Sequence, residues 1–242
     1  MVSEETVRTV LGVAGNITAI TLFLSTIPTF YRIWKKGTVE QYSPVPYLAT
    51  FFNCGLWVLY GMPFVHPDSL LVVTTNGAGL VIEMGYLLIF LVCSDTRKRF
   101  QVAMMVLLEV FVIGGFVLFV LTVLHTTHKR STIVGSISVA ANILMYASPL
   151  SVMKLVITTK SVEYMPFLLS LFCLCNGLCW FVYALFPFDP FIAVPNGIGA
   201  LFGILQLILY ATFYKSTKRM LSARKEEPEL GLAVIPMHDA KA

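Results

Sequence analysis

Of 242 residues, 57% are hydrophobic and only 12% charged, where a soluble domain carries about 25% charge; this excludes an ordinary water-soluble enzyme or binding module. The net charge of +4 comes from Lys and Arg scattered between apolar runs, with none of the basic striping that nucleic-acid recognition requires. The five cysteines lie mostly inside those runs, so no structural disulfide is expected.

A bilayer core of about 30 Å asks for helices of roughly 20 apolar residues. Seven such runs follow in order, at about 9–32, 45–63, 69–93, 102–124, 132–156, 166–186 and 191–213. No signal-peptide pattern precedes the first, which is expected to stay as an anchor. The linkers sort by charge. Arg32, Lys35 and Lys36 follow the first run, Arg97, Lys98 and Arg99 the third, Lys154 and Lys160 the fifth, and Lys215, Lys218, Arg219, Arg224 and Lys225 the seventh. The other side holds only Arg8, Lys129 and Arg130. Cytoplasmic loops collect Lys and Arg, so the amino terminus is expected outside and the carboxyl tail in the cytoplasm. From 220 to 242 the chain has too little apolar surface to fold alone and reads as a disordered tail.

The runs repeat. "KKGTVEQYSPVPY" matches "TTKSVEYMPF", "LWVLYG" matches "CWFVYA", and "NGAGLVIEMGYLLIF" matches "NGIGALFGILQLILY". Three landmarks recur in one order: Val39-Glu40 and Val162-Glu163, Trp57 and Trp180, Asn76 and Asn196. Three spans reverse the chain, so two joined directly would be inverted; a fourth helix between them restores direction. The expected fold is an all-α membrane protein of seven helices. It has a three-helix repeat at 9–93, an inverter helix at 102–124 and a second, parallel repeat at 132–213, related by a two-fold axis along the membrane normal.

"TVEQYSPVPY", "YASPLSVMKLVITTKSVEYMPFLLSLF" and "WFVYALFPFDPFIAVPNGIG" carry a resemblance. Over about residues 9 to 214 the chain resembles the plant SWEET (MtN3/saliva) sugar carriers. The resemblance implies a facilitative, bidirectional sugar uniporter in the plasma or vacuolar membrane, a homo-oligomer working by alternating access with no cofactor and no coupling ion. No span pairs a nucleophile with a base, and all four His lie in loops or the tail, so an enzyme is not expected.

Asn76 and Asn196 are the first candidates for solute contact. A carboxamide offers both donor and acceptor to a hydroxyl-rich molecule, although an interhelical hydrogen bond would use the same groups. The resemblance favours sugar binding. It assigns Trp57 and Trp180 to the sugar's apolar face, where the residues alone fit an interfacial belt. Asn53 and Asn176 lie four residues earlier, on the same helical faces; with Leu22 and Leu144 they correspond to positions that set pocket size. These side chains are larger than the serine and valine of some sucrose carriers, which favours a monosaccharide; simple helix packing is the alternative.

Pro46, Pro149 and Pro166 match three of the family's four hinge prolines. The fourth position is Thr26, with Pro28 two residues on. By the same resemblance Tyr60, Tyr183 and Asp189 are expected to form an outer gate; ordinary interfacial tyrosines and a solvated loop aspartate are the alternative. Glu83 and Glu109 are intramembrane carboxylates, a functional hypothesis by default, with a Glu hydrogen-bonded inside the bundle as the plainer account; Glu83 would serve a proton-coupled carrier, the rival reading, ahead of a seven-helix receptor. Cys175 and Cys179 have neither His nor acid beside them, so no metal site is expected.

Overall fold

The computed structural model describes residues 3–233, with side chains through 224. Nine helices are described: α1 (Glu4–Leu24), α2 (Ile27–Lys36), α3 (Val45–Gly61), α4 (Leu70–Cys93), α5 (Thr96–Val123), α6 (Thr127–Met145), α7 (Ala147–Thr159), α8 (Phe167–Tyr183) and α9 (Pro190–Ala233). They make seven spans, because α1 and α2 are one broken helix and so are α6 and α7. Five spans are long and apolar enough to cross a membrane on length and composition. The other two, α3 and α8, have 17 residues each, the short end of the spanning range.

Each start and stop has a local cause. The Ser3, Asp95 and Thr126 side chains accept from backbone N–H groups of the first turns of α1, α5 and α6, which satisfies donors no helix can satisfy itself. Helix α2 stops at Gly37, which takes a left-handed conformation (φ 67°). Lys160 takes the same conformation after α7 (φ 53°) without glycine's freedom.

The two breaks explain the prolines. Pro28 is the second residue of α2 and Pro149 the third of α7; a proline supplies no N–H to the preceding turn and so interrupts the ladder. Thr26, at the expected hinge position, lies in the first break and donates its hydroxyl to Phe23 O at 3.0 Å. Pro46 and Pro166 instead open α3 and α8, where a missing N–H costs nothing.

Packing carries the two-fold relation. Within the first half α4 packs against both α1 and α3, and within the second α9 packs against both α6 and α8. The halves meet where α1 packs on α8 and α3 on α6; exchanging the halves turns one pair into the other. Helix α5 packs on α3 and α4 and leaves Leu107, Leu108 and Phe111 exposed, as a lipid-facing helix should.

The ends of the bundle differ. At the end where α1 begins, one apolar cluster takes residues from both halves, including Trp57, Tyr60, Val72, Trp180, Tyr183 and Ile192. At the opposite end the core is divided. Phe30, Ile33, Leu48, Phe51 and Phe90 form one cluster within the first half, and Val156, Val162 and Met165 another within the second. Here α2 packs on α4 and α7 on α9, each inside its own half.

The tail departs from expectation. Helix α9 continues past residue 220 to Ala233, because "STKRMLSARK" is rich in helix formers and touches the loop before α8. Thr217 accepts from Val162 N at 2.7 Å, and Arg224 lies 3.4 Å from Glu163. Residues 234–242 of the expected tail lie outside the described residues.

Candidate functional site

A cavity of about 130 Å³ lies between the halves. The first half lines it with Ala19, Phe23, Trp57, Val72, Thr75 and Asn76, the second with Asn176, Trp180, Ile192 and Asn196. Asn76 and Asn196 are alike in detail. Each donates one N–H to the carbonyl four residues back, Asn76 to Val72 O at 2.9 Å and Asn196 to Ile192 O at 2.8 Å. That bond fixes the carboxamide against its own helix and leaves its oxygen and second N–H for a solute. The Thr75 hydroxyl is buried without a partner at the same wall, and a polar group so placed costs about 1–3 kcal/mol until something bonds it.

The tryptophans are also matched. Trp57 packs edge-on against Tyr60 (5.4 Å between ring centres, 79°) and Trp180 against Tyr183 (5.1 Å, 69°). Both indoles are buried, which sets them in the cavity wall instead of an interfacial belt. Gly15 makes room: a Cβ there would lie 2.8 Å from the Trp180 indole.

Above the tryptophans the N-terminal end is tied shut. Tyr60 Oη donates to Asp189 Oδ2 at 2.8 Å, bridging the halves in a buried setting. The other Asp189 oxygen accepts from the backbone N–H groups of Phe191 (2.9 Å) and Ile192 (3.3 Å), capping α9. Tyr183 makes no bond to Asp189; Arg8 lies over its ring at 4.6 Å. His66 stacks on Tyr60 (4.9 Å, 20°), pairs with Ser69 Oγ at 2.7 Å, and comes within 3.6 Å of Asp189. Burial pushes the His66 pKa below its usual value; Asp189 opposes the shift and Arg8 adds to it.

Asn53 and Asn176 sit on the seams between halves. Asn176 accepts from Thr18 at 3.0 Å, and Asn53 donates to Asn142 at 3.3 Å. Asn176 also reaches the central cavity, whereas Asn53 does not line it. A second cavity of about 320 Å³ shares Asn176 and Asn196 with the first and runs toward the divided end; Leu22, Met145 and Pro149 line it. Leu144, expected as the companion of Leu22, is instead 77% exposed. The spacing that separates Trp57 from Trp180 carries Leu22 to Met145, and one residue along a helix turns a side chain by about 100°. Glu83 and Glu109 each keep one carboxylate oxygen buried and unpartnered, and neither lines either cavity.

Several contributors escaped the repeat comparison: Arg8, Thr18, His66, Thr75, Asn142 and Tyr146. Asn142 and Tyr146 replace Ala19 and Phe23 of the first half, so a search for identical pairs passes over them. The signal available was polarity itself, an amide and a phenol inside an apolar run.

A chamber between two like-oriented triple-helix halves, joined at one end and parted at the other, defines a membrane carrier. Residues 9–98 and 132–218 match the MtN3/saliva family model, described as "Sugar efflux transporter for intercellular exchange". The chain is 55% identical over 227 residues to the rice (Oryza sativa subsp. indica) bidirectional sugar transporter SWEET4, covering 94% of this chain and 88% of that one. It is 54% identical over 222 residues to Arabidopsis thaliana SWEET7, covering 91% and 86%. A eukaryotic SWEET transporter structure superposes with a TM-score of 0.85 at 38% identity, over 88% of this chain and 99% of that one. The chain belongs to the MtN3/saliva (SWEET) family of sugar transporters.

Proposed function

We propose that this chain is a facilitative, bidirectional monosaccharide uniporter. The observation that carries the reading is the paired site: Asn76 with Asn196 and Trp57 with Trp180 face one cavity between halves that are sealed together at one end only. The amides and Thr75 bond hydroxyls, the indoles take the ring's C–H face, and Asn176, Leu22 and Met145 narrow the space against a disaccharide. Tyr60 and Asp189 close the N-terminal end while the other is open; the breaks at Thr26–Pro28 and Tyr146–Pro149 let the halves tilt to reverse this. Residues 9–93 and 132–213 are the moving units and 102–124 the connector.

The basic loops cluster at the divided end, so that end faces the cytoplasm and the amino terminus lies outside. The family's description, exchange between cells, supports the plasma membrane. The apolar outer faces, α5 above all, support a homo-oligomer. A proton-coupled carrier built on Glu83 has one observation behind it, the buried unpartnered oxygen, but Glu83 lies off both cavities.

The test is counterflow of radiolabelled glucose in proteoliposomes. Glucose should exchange and sucrose should not, and Asn76→Ala or Asn196→Ala should reduce exchange at least tenfold. Equal counterflow in the parent and both variants would remove the pair from the site. Collapse of exchange in Glu83→Gln, with accumulation driven by a pH gradient, would favour coupling.

A further inference from the structure

The two halves treat one helical stripe differently. On α9, Asn196, Gly199, Gly203 and Gln206 fall on one face, at spacings of three, four and three residues. The matching stripe on α4 is Asn76, Gly79, Glu83 and Tyr86. In the first half the stripe is filled. A Cβ on Gly79 would come within 2.7 Å of both Cys54 and Phe23, while Tyr86 stacks on Phe30 (4.2 Å) and donates to Phe23 O at 2.9 Å. In the second half it borders the 320 Å³ cavity, whose lining also includes Asn142 and Tyr146.

Gln206 is the unusual member. It is only 9% exposed, lines that cavity, and has no hydrogen-bond partner among the described residues. Ser138 and Tyr60, buried in the spans, bond Val134 O and Asp189, and the unpartnered Thr75 hydroxyl lines the central cavity. The Gln206 amide atoms are not sealed off; they open into the cavity, where donors and acceptor are free for a polar solute. Gln206 lies ten residues beyond Asn196, about 15 Å along the helix, farther than one sugar ring reaches from the central pair. Asn142 donates to Tyr146, whose hydroxyl donates to Pro195 O; this chain fixes the upper wall and leaves an Asn142 N–H for a passing hydroxyl.

We propose that Gln206 anchors a second sugar station, in the vestibule between the central cavity and the mouth of the divided end, occupied while that end is open. The station rests on the reading of this chain as a sugar carrier. Its chemistry, a carboxamide on the wall of a cavity that Asn142 and Tyr146 bound at its upper end, fits a pair of neighbouring hydroxyls.

The experiment uses the native Cys173, which lines the same cavity, in a chain whose other four cysteines are replaced by alanine. Alkylation by a maleimide is timed in proteoliposomes with glucose or with glycine betaine, which has no hydroxyl. Glucose is expected to slow labelling several-fold and betaine not at all, and the slowing should persist after Asn76→Ala and disappear with Gln206→Leu. No slowing, slowing that survives Gln206→Leu, or slowing that vanishes with Asn76→Ala overturns the station, the last because it would only report closure around the central site. If Asn76→Ala leaves exchange intact while labelling at Cys173 stays protected, the central site falls and the station stands. Should the alanine background fail to fold, exchange kinetics replace labelling. Gln206→Leu should raise the KM for glucose several-fold at similar Vmax, with partial recovery in Gln206→Asn; a fall in Vmax alone would overturn the proposal.

Discussion

The N-terminal end of the bundle and its opposite end are built from the same repeated sequence, yet one is a single core and the other is two. At the first, Tyr60 and Asp189 bond across the halves and thirteen buried residues form one apolar cluster. At the second, each half closes its own core around its own loop. The difference lies in what the loops supply. The segment after α8 delivers Asp189, a carboxylate that both caps α9 and accepts from the facing tyrosine. The segments at the divided end instead spend their charges within a half: Glu40 on Lys36 (2.8 Å) and Glu163 on Arg224, with Lys98 on Glu40 O. A carrier needs one end sealed and the other parted, with the two able to exchange.

The largest effect on this contrast is expected from Asp189→Ala. It strands the buried Tyr60 hydroxyl and uncaps α9, a loss of about 1–3 kcal/mol from the sealed form, or a shift of about 5- to 150-fold toward an open N-terminal mouth. Reactivity of a thiol placed at Phe64 should rise accordingly, and glucose exchange should fall. Next comes Trp180→Ala, which removes the indole shared by the cavity wall and the sealed core; exchange should drop at least tenfold. A smaller contrast separates neighbours on α6. Met145→Ala should change the glucose KM several-fold, while the lipid-facing Leu144→Ala should stay within about twofold.

The smallest effect is a pH dependence. In the sealed end burial, helped by Arg8, holds His66 below its usual pKa against the pull of Asp189; once the end opens, solvent returns it toward about 6.5. The open form therefore binds the proton more tightly, and linkage makes acid on that side favour opening. Asp68 and Tyr183 flank the same cluster and do not reverse this sign. Exchange limited by that opening should quicken modestly as external pH falls through about 6, and His66→Gln should flatten the profile. Slowing by acid would mean the imidazolium's attraction to Asp189 outweighs its burial.

Seven spans, the linker helix and the repeat were legible in the sequence because apolar run length and ordered landmarks depend on local residues alone. Asn76, Asn196, Trp57, Trp180 and the Tyr60–Asp189 partners were legible because they recur or sit at span ends. Leu144 was misplaced because gaps between the repeats shift the register, and only the helix phase around Tyr146 shows that Met145 faces inward. Asn53 was expected in the pocket wall and lies on the seam, since its bond to Asn142 depends on how α3 meets α6. Thr75 and Gln206 needed burial and partner information that no residue pattern carries. The helical extension of α9 depends in part on Val162 and Glu163, distant in sequence.

The central claim is that the sealed end must open for sugar to cross. Tyr60→Cys and Asp189→Cys, bridged through disulfides by a short bis-methanethiosulfonate in proteoliposomes, test it most directly. Glucose exchange should stop on bridging and return on reduction, while glucose entering from the divided end still protects the cavity-lining Cys173 from alkylation. Undiminished exchange with the bridge in place would contradict the account.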